Sequence, residues 1–100
     1  MLAEVFERSL DAEAPPIYYT DSLKALWYAA KGDPGTAMDW AQAVASLNEA
    51  WVRAHLHRMQ QEAGNARLWY SRAQKPMPDT PIERERLTIA LTLLSELTVS

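Results

Sequence analysis

The chain contains no cysteine among its 100 residues. That absence removes disulfides, thiolate zinc sites and a cysteine nucleophile together. Glycine is scarce, with three residues, and none builds a phosphate loop. Gly32-Asp33-Pro34-Gly35 lacks the Lys-Ser/Thr that such a loop needs, so it reads as a turn. No apolar run approaches the roughly 20 residues of a bilayer span. The most apolar stretch is residues 87–97, and Glu96 lies inside it. The first ten residues carry Glu4, Glu7 and Arg8, unlike the basic start and apolar run of a signal peptide. These features lead us to expect a soluble, cytoplasmic protein with no membrane partner.

Basic residues are in the minority, ten against thirteen acids, for a net charge of −3. Nucleic-acid binders are normally basic, so nucleic acid is a disfavoured partner. The charge is unevenly spread: residues 1–50 are net −5 and residues 51–100 net +2. Such asymmetry suits head-to-tail association or one charged partner, and equally two ordinary solvated faces. Apolar residues make up 48% of the chain, enough for the core of one domain and against disorder.

The punctuation is that of a helical protein. Gly32-Asp33-Pro34 ends one helix at Gly32, caps the next with Asp33 and opens it with Pro34. Helices are predicted near 20–32 and 34–46. Ser46-Leu47-Asn48-Glu49 fits a capping box for a helix running to about Ala63, with Asn48 as the alternative cap. Gly64-Asn65 suggests another stop and start, with a fourth helix over about 66–74. Residues 75–79 hold two prolines and form a linker. Thr80-Pro81-Ile82-Glu83 then opens a final helix. Its Ile82, Leu87, Ile89, Ala90, Leu91, Leu93, Leu94 and Leu97 make a broad apolar face that should be buried. A short helix near 2–12 precedes Pro15-Pro16, and Ile17-Tyr18-Tyr19 is extended chain or a packed loop. No strand pattern of useful length occurs. The expected fold is all-α with five or six helices, in a single domain over 1–100. It comprises an N-terminal helix and Pro-rich turn (1–19), hairpin 1 (20–46), hairpin 2 (47–74) and a C-terminal capping helix (80–98).

The two hairpins repeat at one constant offset. Ala25 matches Ala54, Asp33 matches Glu62, Ala37 matches Ala66, Trp40 matches Trp69 and Val44 matches Ala73. Small residues let paired helices approach while bulky ones fill the neighbouring groove, which is what packed helical repeats require. Gly32, Asp33, Ala37 and Val44 in the first unit, with Ala66, Tyr70 and Ala73 in the second, resemble the tetratricopeptide-repeat pattern. Gln61 stands at the position of the second turn glycine. The runs 25–27, 31–33, 51–58 and 65–70 are similar to a small uncharacterised bacterial family of tetratricopeptide-like proteins. The resemblance implies stacked helical hairpins and supplies no reaction.

Chemistry is sparsely marked. His55 and His57 are the only histidines. Two apart on a helix, they point about 200° from each other and cannot chelate one metal from one face. Ser71 has no base partner in any recognisable motif. Glu83 and Glu85 face different ways on their helix, and Glu83 reads as a capping residue. No catalytic, metal or cofactor set emerges, and whether the chain is an enzyme stays open.

Trp51, His55 and Arg58 share one helical face at i, i+4 and i+7. On the tetratricopeptide pattern they look into the concave side, where Ser22, Leu26 and Ala29 are the equivalent positions of the first unit. This surface suits a peptide or partner protein bearing a carboxylate, which Arg58 can grip. In the competing reading Trp51 is core and His55 a satisfied buried imidazole. Trp27, Trp40 and Trp69 are assigned to the core. Two further functions stay in view: a small-molecule-binding protein or enzyme using His55 or His57, and a structural homo-oligomer, such as a homodimer, joined through the C-terminal helix.

Overall fold

A computed structural model describes residues 2–98. Six helices follow one another among these residues, with no strand. They are α1 (Leu2–Ser9), α2 (Asp21–Ala30), α3 (Pro34–Trp40), α4 (Leu47–Met59), α5 (Ala63–Ala73) and α6 (Ile82–Thr98). The fold class is therefore all-α. Sequence neighbours pack together across tight turns, α2 on α3 and α4 on α5, and α6 lies against α1, α2 and α4.

The two turns follow the same backbone path. Gly32 has φ +84°, and its counterpart Gln61 has φ +61°. The flanking residues agree as well: Lys31 (φ −82°, ψ 0°) with Gln60 (−89°, 7°), and Asp33 (−119°, 76°) with Glu62 (−98°, 74°). Asp33 N donates to Tyr28 O at 2.9 Å, and Glu62 N to His57 O at 2.9 Å. Both helices thus end in the same closure through a left-handed residue. Glycine adopts that conformation freely; Gln61 does so at a steric cost.

Helix starts follow the capping chemistry. Thr20, Asp33 and Ser46 each accept a backbone N–H with the side chain, from Leu23, Thr36 and Glu49 respectively. Glu49 returns its carboxylate to the Ala45 amide at 2.7 Å. The Gly64-Asn65 break is corrected: both residues lie inside the first turn of α5, and the chain turns at Gln61-Glu62 instead. The closure after His57 had already satisfied the end of α4, so no further stop was needed. α3 is shorter than the predicted 34–46. The Ala41 carbonyl is taken by Arg53 Nη1 at 3.3 Å and the Ala45 amide by Glu49, so a continuing helix would forfeit both bonds.

The core follows the small-residue logic. Ala25, Ala37, Ala54 and Ala66 are fully buried, and Phe6, Leu23, Leu26, Trp27, Leu56, Tyr70 and Ile89 pack around them. Trp27 donates from Nε1 to Ser9 O at 3.1 Å, docking the end of α1. Trp40 and Trp69 are only half-buried at the edge of the core, where cations cover them: Lys24 lies 4.5 Å from the Trp40 ring and Arg53 5.1 Å from the Trp69 ring. Lys24 and Arg53 stand at the same sequence offset as the two indoles they cover. On α6 the buried stripe is Glu85, Ile89, Ala90, Leu93 and Leu94. Leu91 and Leu97 turn outward and Leu87 is half-buried, so the expected apolar face is narrower than its sequence.

Candidate functional site

Glu85 is the acid in the middle of that stripe. It sits one turn before Ile89 and is 5% exposed. A buried carboxylate needs donors, or its desolvation goes uncompensated. Four side chains supply them. His55 Nδ1 lies 2.7 Å and Arg58 Nη1 3.1 Å from Oε1, while Tyr70 Oη lies 2.5 Å and Trp51 Nε1 3.4 Å from Oε2. Each oxygen thus meets two donors, which matches the capacity of a carboxylate. The second η-nitrogen of Arg58 donates to the Thr80 carbonyl, so one guanidinium holds both α6 and the linker before it.

Electrostatics follow from this geometry. Burial alone would raise the Glu85 carboxyl. The hydrogen bonds from His55 and Tyr70, the His55 charge and the Arg58 bond outweigh it, and Glu85 is held below its ordinary range. The Tyr70 phenol is pushed far up, first by burial and then by its bond to Glu85 and the charge there. Tyr70 is consequently a firm hydrogen-bond donor.

The structure brings Trp51, His55 and Arg58 together, as their spacing implied, and buries the first two. Ser22 and Leu26 are buried as well. α6 lies against both α2 and α4, and its Glu85 takes the Arg58 contact expected for a partner's carboxylate. A cleft of about 220 Å³ stays open beside it, lined by Trp51, Lys75, Pro76, Pro78, Thr80, Glu85 and Thr88. Lys75 Nζ stands 4.3 Å from the Trp51 ring at this opening.

His57 belongs elsewhere. Its Nδ1 pairs with Glu62 Oε1 at 2.7 Å, and Arg53 Nε approaches its Nε2 at 3.4 Å. The two histidines thus serve different carboxylates, and no group of three or more His, Asp or Glu gathers in metal-binding fashion among the described residues. His55 Nε2 is buried without a hydrogen-bond partner there.

Glu85 and Tyr70 were not singled out as site residues. One signal pointed to Glu85: it shares the i, i+4, i+8 stripe of Ile89 and Leu93, and an acid inside an apolar stripe calls for buried donors. Tyr70 carried only its place in the repeat. Lys75 and Thr80 reach the cleft through the course of the linker, which has no periodicity to read.

Against models of protein families, curated proteins and solved structures alike, this chain gives no match.

Proposed function

We propose that the protein is a non-catalytic, tetratricopeptide-like interaction module that holds a short segment of a partner in the cleft beside Trp51. The observation carrying this reading is the Glu85 cluster. His55, Arg58, Tyr70 and Trp51 hold a helix-borne carboxylate on the face where such repeats take peptides, and an indole, an ammonium and two prolines border the space left open. Trp51 and Lys75 would touch the partner, with His55 and Arg58 acting through Glu85 as the rigid floor, and Ser22 and Leu26 as packing behind it. The matching turns at Gly32 and Gln61 support the repeat architecture.

Catalysis is the weaker reading of the same residues. His55 is fully buried and does not line the cleft, and both Glu85 oxygens are already engaged. A cytoplasmic location accords with the module, because a chain without cysteine gains no disulfide from an oxidising compartment.

Selection of displayed random peptides on the folded protein tests the proposal. Selected peptides should lose binding to Thr88→Trp, which fills the cleft from an exposed position of α6. The absence of any selected peptide that loses binding to this variant would overturn it.

A second reading has its own observation. Val5, Leu91 and Leu97 are each 40–45% exposed on α1 and α6, apolar side chains that a homodimer would cover. Light scattering across concentrations tests it, with Leu91→Glu abolishing any dimer.

A further inference from the structure

We infer a second docking surface, away from the cleft, for an acidic peptide segment carrying a large apolar side chain. It lies around Trp69. Arg53 and Arg72 both sit on this one indole, their guanidinium carbons 5.1 and 4.6 Å from its centroid. Two cationic groups are thereby gathered at a single ring. Neither takes part in an ion pair among the described residues. Arg53 is fixed further by the Ala41 carbonyl and by His57, both of which accept and neither of which supplies a neutralising carboxylate. Glu49, on the first turn of α4, spends its carboxylate on the Ala45 amide.

Beside this charge lies an open recess of about 470 Å³, formed by Val44, Ala45, Ser46, Leu47 and Ala50 with Trp69 and Arg72 at its edge. Leu47 is 50% exposed there. The surface therefore joins a largely apolar lining to an unneutralised cationic edge. Charge complementarity selects a partner with carboxylates at the rim and an apolar side chain on the floor. The pairing of indole and cation recurs at the matched positions Trp40 and Lys24.

The same geometry disfavours single-stranded nucleic acid. Such ligands stack bases on free aromatic faces, whereas the Trp69 ring, the one aromatic lining the recess, already carries two guanidiniums. The inference does not depend on the cleft beside Trp51.

Fluorescence anisotropy with a short synthetic Leu-Glu peptide tests it. Binding should weaken about tenfold or more in Arg72→Glu, through lost charge-assisted bonds and new repulsion. It should fall with added salt and be unchanged in Arg67→Glu, an exposed residue of the same helix, and in Thr88→Trp. A Leu-Gln peptide of equal length should not bind. Equal binding by Arg72→Glu, by the Leu-Gln peptide, or tighter binding of an oligothymidylate would overturn the inference. Circular dichroism melts of Arg72→Glu and of the milder Arg72→Ala verify that the fold persists, and Arg72→Ala should show an intermediate loss.

Discussion

His55 Nδ1 and Glu85 Oε1 lie 2.7 Å apart across 30 positions of sequence, and through this contact α4 fastens α6. The imidazole is fully buried and the carboxylate nearly so. Arg58 and Tyr70 complete the fastening, so the stability of the domain should depend on Glu85 more than on any exposed charge.

Glu85→Ala should destabilise the protein by about 3–5 kcal/mol, since removing one partner leaves His55, Tyr70 and Trp51 buried without their acceptor. Urea denaturation measures this directly. Glu85→Gln keeps the shape and part of the bonding and should cost less. A loss below about 1 kcal/mol in Glu85→Ala, the level of an exposed pair, would show that the cluster does not hold α6.

Stability should fall at both ends of the pH range, for opposite reasons. Glu85 is held below its ordinary 4.5 in the folded state. Its contribution is present above that value and is lost as pH falls through the lower folded one. Tyr70 is raised above its ordinary 10.0. Its contribution is present below pH 10.0 and is lost as the solution becomes more alkaline. Thermal melts across pH should show Glu85→Gln flattening the acid limb and Tyr70→Phe the alkaline limb.

Gln61→Gly should stabilise the chain by roughly 0.5–1 kcal/mol. The left-handed backbone at φ +61° strains a residue with a Cβ, and glycine relieves that strain at some entropic cost. Gly32→Ala, at φ +84°, should have the opposite sign. Chemical denaturation of the two variants compares the repeated turns directly.

Arg58→Lys should cost about 1–3 kcal/mol although the charge is kept. An ammonium cannot span the Glu85 carboxylate and the Thr80 carbonyl as the planar fork does. Hydrogen exchange should quicken in residues 75–85, and unaltered exchange there would show that Arg58 does not pin the linker.

Leu94→Ala should cost about 2–5 kcal/mol, as a fully enclosed leucine does. Leu91→Glu should stay within about 0.5 kcal/mol, as surface substitutions do. That side chain is 45% exposed. The pair of melts separates the inward and outward stripes of α6.

Much of the fold was legible locally. Gly32-Asp33-Pro34 and Ser46-Leu47-Asn48-Glu49 announce helix ends because capping and φ preferences act between close neighbours in the chain. The turns at Gly32 and Gln61 share the offset of the matched residues. Gly64-Asn65 misled because glycine permits a left-handed turn without requiring one, and the closure at Gln61 had already been made.

The candidate site was half legible. Trp51, His55 and Arg58 share a face by helical spacing alone, and spacing is a property of one helix. That Glu85 meets them is a property of two. The α6 sequence offers one stripe through Leu87 and Leu91 and another through Glu85, Ile89 and Leu93, and its own periodicity does not choose between them.

The sequence by itself therefore determined an all-helical chain, several of its helix caps and a polar triplet on one face. Tertiary structure alone decided which stripe of α6 turns inward, and so which carboxylate His55 and Arg58 hold. Caps and turns draw their energy from neighbours a few bonds away. The burial of Glu85 is repaid only when donors from α4 and α5 converge on it, and that convergence exists only once the helices have packed.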